Sequence, residues 1–322
     1  MISFKPITIE SKEIITSFTF PSFYQSCDLS FANMCSWQFL YHSEYAVVDD
    51  FLLLRFQIEG EKGRVVYMFP VGKGDMRNII RIMEEDSLKN GYPLCLMGVT
   101  QDVAFELESI FPHEFRYIPE RDYFDYIYYR SDLVELKGKK YQSKRNHINK
   151  FNKEYKFEYL PITKDIVPLC LKLEDEWCKN NACKCDEDLL NERRSMIYTL
   201  QHLDRLDGIG GAIRVDDKIV AFSFGSPINK NTFGIHVEKA DIRIEGIYSV
   251  INQLFASHIP EQYVYVNREE DLGVEGLRKA KLSYHPVILL EKNVAIKKRI
   301  PTNLITDTPD IVEMQEEVAL SY

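Results

Sequence analysis

Two stretches of this chain pass through the same order of segments, and an order that returns at domain spacing narrows the fold more than any single motif does. In the first, FLLLRFQIE and RVVYMFPV read as strands around a Glu-Gly-Glu-Lys-Gly turn. MRNIIRIMEEDSLKN has helical spacing, LCLMGV is a short apolar run of strand length, and QDVAFELESIF is helical again. In the second, GAIRV and IVAFSFGSP flank an Asp216-Asp217 turn and NTFGIHVE adds a strand. The helix GIYSVINQLFASHI, the strand YVYVN, the helix GLRKAKLSY and a last strand VILLEK follow. Residue identities scarcely match between the two, so the repeat is one of architecture. The expected fold is α/β, with mixed sheets built twice and helices on both faces.

Between the halves lie a strand-like DYFDYIYY, a basic strip, and a helical stretch from Lys164 to Lys179 that carries Trp177. We place a first domain at residues 1–135, the basic segment with a second domain at 136–298, and a charged, proline-containing tail at 299–322.

Charge supplies the best functional clue. The chain carries a formal net charge of −9, yet LKGKKYQSKRNHINKFNK, residues 136–153, holds seven Lys or Arg and no Asp or Glu. A cationic strip on an acidic body attracts phosphate or carboxylate locally, because salt screens the attraction beyond about 8–10 Å. A solvated basic helix is the plainer alternative. As a helix from about Lys139, the segment aligns Tyr141, Ile148, Phe151 and Tyr155 on one stripe, with Lys144 inside that stripe and Arg145 at its edge. Cations among apolar positions point into a cleft, so Lys140, Lys144, Arg145 and Asn146 are candidate anion-binding residues.

With 322 residues and 45% hydrophobic content, the chain can bury a large core. Charges interrupt every apolar stretch of MISFKPITIESKEIITSF, and no run approaches the length of a membrane span, so the expected location is cytoplasmic. Seven scattered cysteines argue against a disulfide framework, and Cys178, Cys183 and Cys185 lack paired Cys-x-x-Cys spacing, so no metal site is assigned. Ser-His-Asp order, a Walker loop and a Rossmann glycine fingerprint are all missing.

Several segments together carry a family resemblance: SCDLSFANMCSWQFLYHSEYAVVDDFLLL, GKKYQSKRNHINKF, GIHVEKAD followed by GIYSVINQLFA, and NREEDLGVEGLRKAKLSYHP. They resemble the phosphatidylglycerol lysyltransferase C-terminal domain family over most of residues 20–292. The resemblance implies two tandem GCN5-related N-acetyltransferase-like domains, similar also to the Fem peptidyltransferases. It implies an acyl- or aminoacyl-transferase whose donor co-substrate is aminoacyl-tRNA or acyl-CoA and whose acceptor is a lipid headgroup or another amine or hydroxyl.

Acyl-CoA enzymes of this superfamily seat the pyrophosphate on a Gln/Arg-x-x-Gly-x-Gly/Ala loop at a helix start. Here Arg243 and Gly246 match and Tyr248 stands where a small residue is needed, which weakens the CoA reading. Gly72-Lys73-Gly74, also before a helix, is a second anion candidate or plain turn chemistry. An aminoacyl-tRNA would use the basic strip as a short cationic path. An acidic chain with seven clustered cations suits an acceptor end, a CoA or a phospholipid headgroup, and not a long duplex nucleic acid.

Transfer to an acceptor needs a base, an oxyanion donor and accurate placement. Glu238, closing GIHVE, is a candidate base. Asn267, Arg268, Glu269, Glu270 and Asp271 follow a strand directly, where ligand sites gather in open sheets. From them we assign Asn267, Glu269 and Asp271 to the chemistry, the two acids as partners for a substrate ammonium. Arg268, Arg278 and Lys281 are placed on an anionic group, with internal ion pairing as the alternative. His147 and His236 stay outside this set, since a lone strand histidine is usually structural. A binding protein on the same scaffold, without turnover, is the alternative function.

Overall fold

The computed structural model describes residues 2–57, 64–180 and 186–298. The Glu-Gly-Glu-Lys-Gly turn, Cys183, Cys185 and the tail from 299 lie outside them. The first half comprises β1 (Lys5–Pro6), α1 (Lys12–Thr19), α2 (Phe31–Ser36), α3 (Gln38–Tyr41), β2 (Glu44–Val48), β3 (Phe51–Gln57) and β4 (Val65–Met68). It continues through β5 (Val71–Gly72), α4 (Met76–Lys89), β6 (Cys95–Val99), α5 (Gln101–Ile110) and β7 (Phe115–Pro119). Then come β8 (Asp125–Tyr129), α6 (Arg130–Glu135), the basic α7 (Gln142–Glu154), β9 (Phe157–Pro161), α8 (Val167–Asn180) and α9 (Glu187–Gln201). The second half holds β10 (Ile209–Val215), β11 (Lys218–Pro227), β12 (Thr232–Ala240), α10 (Ile247–His258), β13 (Tyr265–Asn267), α11 (Glu275–Leu282), β14 (Ile288–Leu290) and β15 (Asn293–Lys297).

The architectural repeat is present in two mixed sheets. One runs β1-β2-β3-β4-β6-β15-β7 with β5 beside β3, and the other, read from its far edge, runs β9-β10-β11-β12-β13-β8-β14. The two orders correspond position for position. In both, the only parallel neighbours among the described residues are the strands that flank a crossover helix: β4 and β6 around α4, β12 and β13 around α10. Parallel pairing needs such a crossover, which is why helical periodicity falls between these strands in the sequence.

The sixth position in each sheet is filled from the other half. β15 lies antiparallel between β6 and β7, and β8 lies antiparallel between β13 and β14. The expected boundary at residue 135 therefore does not separate the sheets. β8 precedes it yet belongs to the second sheet, and β15 follows it yet belongs to the first. Backbone pairing decides a strand's membership, and the crossing loops between β7 and β8 and between β14 and β15 are too short to show as linkers in the sequence.

On the second sheet, α10 and α7 close the largest core. Tyr141 and Phe151 are fully buried and Ile148 nearly so, with Tyr155 stacked on Phe151 at 5.0 Å between ring centroids. Each such side chain contributes about 1.5–3 kcal/mol, which holds a helix whose exposed face is strongly cationic. Cys27, Cys35, Cys95 and Cys170 are free and buried, whereas Cys178 is disulfide-bonded.

Candidate functional site

β12 outruns its parallel neighbour. It pairs with β13 only from Thr232 to Gly234, opposite Tyr265 to Asn267, and then continues to Ala240 against β11 alone. The two strands splay beyond Gly234, and the register shift between Phe224 and Gly225 leaves His236 as an extra, bulged residue on β12. A bulge re-aims the side chains that follow it. Here it turns Glu238 towards α10 and sets His236 on the opposite face of the sheet, towards Ser30 at the start of α2.

Side chains replace backbone pairing across the splay, one bridge on each face. On the α10 face, Arg268 Nη2 donates to Glu238 Oε1 at 3.2 Å and Asn252 Nδ2 to Glu238 Oε2 at 3.1 Å. The Arg268 side chain is 10% exposed and Asn252 is fully buried, yet Arg268 Nη1 and Asn252 Oδ1 have no partner. An unsatisfied donor and an unsatisfied acceptor thus flank one carboxylate, in a setting where an unmade hydrogen bond costs about 1–3 kcal/mol. The ring centroid of Tyr284 lies 4.8 Å from the Arg268 guanidinium carbon and 4.1 Å from Lys144 Nζ. Lys144 also donates to Ser283 Oγ at 2.7 Å. Burial, with the Arg268 charge second, holds the Lys144 ammonium below its ordinary pKa.

On the opposite face, His236 Nδ1 is 2.7 Å from Glu269 Oε1, and His236 Nε2 is 2.7 Å from Ser226 Oγ. Asn33 Nδ2 donates to the same Glu269 oxygen at 2.7 Å. Sequence order therefore concealed a Ser226, His236, Glu269 constellation. The direction in which His236 points depends on the bulge, and nothing in the local sequence marks it.

Beneath this face, Lys292 Nζ contacts Asp28 at 2.9 Å, Asp125 at 3.0 Å and Glu270 at 2.6 Å. Cys27, Asp125 and Glu270 are the one set among the described residues whose ligand atoms lie close enough for a metal ion. Their charge is already met by the lysine ammonium. Burial pushes the Glu270 carboxyl up to about 7, against the opposing pull of Lys292.

The remaining assigned residues are distributed as follows. Asn267 is buried, its Nδ2 donating to Asp125 at 2.7 Å and to the Gln25 carbonyl at 2.8 Å. Asp271 is buried and accepts from Arg121, Arg278 and Tyr126. Burial opposes its ionisation, but the hydrogen bonds from Arg278 and Tyr126 prevail and hold the carboxyl well below the usual range. Arg278 also reaches Asp122 at 2.6 Å, and Lys281 Nζ donates to the carbonyls of Arg268, at 2.6 Å, and Glu270. The Asp271, Arg278 and Lys281 groups are thus consumed in buttressing the loop after β13. Lys140 pairs with Asp132 at 3.4 Å, Arg145 donates to the carbonyls of Leu136 and Gly138, and Asn146 is exposed. Of the strip, Lys144 alone joins the Arg268 cluster.

Both expected anion cradles are filled by protein. Gly246 caps α10 at φ +80°, and a Cβ there would lie 2.9 Å from His147 Cβ and 3.1 Å from its carbonyl oxygen. Arg243 is held by Asp241 at 2.7 and 2.8 Å, and Glu245 pairs with Lys150. The glycine thus admits α7, and two carboxylates stand at the helix start. In the first half, a Cβ on Gly72 would fall 2.2 Å from the Asp50 carbonyl, and the Asp75 carboxylate caps α4 through Asn78 N.

A family model described as phosphatidylglycerol lysyltransferase, C-terminal, matches residues 23–296. The chain belongs to this family. A crystal structure of a conserved protein of unknown function from Bacteroides thetaiotaomicron VPI-5482 is 52% identical, with a TM-score of 0.89, covering 92% of this chain and 100% of that one. The C-terminal domain of a putative lysylphosphatidylglycerol synthetase from Agrobacterium fabrum has a TM-score of 0.64 at 14% identity, covering 90% and 92%. FemX has a TM-score of 0.56 at 8% identity, covering 91% and 97%. An uncharacterized protein of Mycoplasmoides gallisepticum is 25% identical over 173 residues, and the match spans 52% of this chain and about half, 54%, of that relative. The lysyltransferase-family chain thus has a mixed α/β fold of two sheets, similar to the folds of the lysylphosphatidylglycerol synthetase C-terminal domain and of FemX. Among its described residues no helix is long and apolar enough to cross a membrane.

Proposed function

We propose that this chain transfers an aminoacyl group from the acceptor end of an aminoacyl-tRNA to an amine or hydroxyl acceptor of the lipid-headgroup kind. The observation that carries the reading is the pair of unmet groups at Glu238. An α-aminoacyl ester presents a carbonyl oxygen and an ammonium on adjacent carbons. Arg268 Nη1 is a free donor for the first, and Asn252 Oδ1 with Glu238 is an acceptor set for the second. An acetyl group has no ammonium to offer.

As the acceptor attacks, negative charge develops on the carbonyl oxygen, and a buried guanidinium with an unpaired N–H stabilises that charge. Lys144, on the same Tyr284 ring, adds positive potential beside the leaving ribose and its phosphate. An acyl-CoA donor is disfavoured, since the start of α10 is covered by His147 and bordered by Asp241 and Glu245.

The test presents the purified protein with tRNA charged with radiolabelled amino acids and, in parallel, with labelled acetyl-CoA, over vesicles containing phosphatidylglycerol and over soluble amines. Label should move from a charged tRNA and not from acetyl-CoA. Arg268→Lys, which keeps the charge but loses the fork, should lower kcat by about 10²–10³-fold. Transfer from acetyl-CoA alone would replace this reading with an N-acetyltransferase, and tight tRNA binding without product would replace it with a binding protein.

A further inference from the structure

The face of the sheet opposite Arg268 carries chemistry that the transfer reading does not use. Ser226 from β11, His236 from the β12 bulge and Glu269 from the end of β13 are joined by two contacts of 2.7 Å. A carboxylate can only accept, so in the neutral imidazole the ring hydrogen sits on Nδ1 and Nε2 is left to accept from the Ser226 hydroxyl. That is the tautomer in which an imidazole removes a serine proton. Asn33 donates to the same Glu269 oxygen, and Ser30 Oγ stands 3.3 Å from Ser226 Oγ, within hydrogen-bond reach.

The backbone is shaped for this arrangement. Gly234 lies opposite Ser226, and a Cβ there would come within 3.2 Å of His236 Cε1. Without a side chain at 234, the ring folds back along the strand to reach the serine. A cavity of about 400 Å³ is walled in part by Phe31 and Pro227, the residues that follow Ser30 and Ser226 in the chain, while Ser226, His236 and Glu269 themselves do not line it.

We propose that Ser226 is an acyl-accepting nucleophile, giving this chain an esterase-type activity through an acyl-serine. In the first step Ser226 Oγ bonds to the ester carbonyl carbon and its proton passes to His236 Nε2. The carbon–oxygen bond to the leaving alcohol then breaks, and that oxygen takes the proton from His236. Water attacks the acyl-serine in the second step, giving its proton to His236, which returns it to Ser226 Oγ as the acid departs. Glu269 acts as a positioning residue, holding the ring in the required tautomer. Because Ser226 is 1% exposed and lies behind the Phe31 and Pro227 wall of the cavity, the substrates are small esters that reach it only when that wall parts, and turnover is slow.

The proposal stands apart from the tRNA reading, and its test needs no tRNA. The full chain is incubated with diisopropyl fluorophosphate and, separately, with p-nitrophenyl acetate, then analysed by intact mass and peptide mapping. One adduct on Ser226 is expected, absent in Ser226→Ala and formed at least about tenfold more slowly in His236→Gln and Glu269→Gln. Lack of any Ser226 adduct on the wild-type protein would overturn the proposal, whatever the folding of the variants. So would an adduct that forms at an unchanged rate in a folded His236→Gln protein, since the network would then be structural alone.

Discussion

Glu270 shows what burial does to one residue. Its carboxyl is raised from 4.5 to about 7, with desolvation the leading cause. The folded state therefore holds a proton that the unfolded chain releases near pH 4.5. The sign follows from linkage: the stability this group contributes is fully present below about pH 4.5 and is lost as pH rises through about 7. The thermal midpoint of the wild-type protein should accordingly fall relative to that of Glu270→Gln across this window. A difference between the two proteins that does not change with pH would show that Glu270 is ionised throughout. At this scale the sequence was informative about residue type and poor about direction. Arg268 is a candidate because it follows a strand and Glu238 because it is expected to close one, whereas β12 continues past Glu238 to Ala240. Their mutual pairing and the unmet Asn252 were not legible, since Asn252 looks like any polar position on a helix.

At the scale of an element, α7 answers the question its composition raised. The apolar stripe of Tyr141, Ile148 and Phe151 is buried as its spacing requires, and Lys144 leaves the stripe to reach Tyr284. Apart from Arg145, which is tied to two carbonyls, the other cations face solvent, several beside carboxylates: Lys137 with Glu135, Lys140 with Asp132, Lys150 with Glu245 and Glu154. Local pairing reduces their reach, so any polyanion meets a short patch. Binding of tRNA should weaken with added salt, with a slope that corresponds to only a few phosphates, at about 0.7–0.9 per contact. Converting Lys139 and Lys153 to Glu should flatten that slope while leaving the thermal midpoint within the range of ordinary surface changes. An unchanged slope, read by filter binding over a salt series, would remove α7 from the tRNA path.

For the whole molecule, the reciprocal exchange of β8 and β15 decides how the halves depend on each other. Each sheet has an internal strand from the other half, and the crossings are pinned together. Glu120 N donates to the Lys292 carbonyl at 3.1 Å, and Lys292 Nζ meets Asp125 at 3.0 Å. Removing either strand would leave an internal gap with two unpaired ladders, so the halves should unfold in one step. Trp37 follows α2 in the first half, whereas Trp177 on α8 packs against Lys239 of the second sheet. Fluorescence of Trp37→Phe and of Trp177→Phe should therefore give coincident urea transitions. Two separated midpoints would mean that the exchanged strands do not couple the sheets.

The sequence by itself determined the repeated order of elements, the buried stripe of α7 and the family, because these rest on local periodicity and on segments read one after another. Tertiary structure alone decided strand membership, since β8 and β15 join sheets to which their sequence neighbours do not belong. It also decided the two faces of the site. A single bulged residue at His236 reverses the side-chain alternation of β12 and so divides Glu238 from His236. With a strand period of two residues, that one insertion sends all later side chains to the other face, and no local sequence signal marks where it occurs.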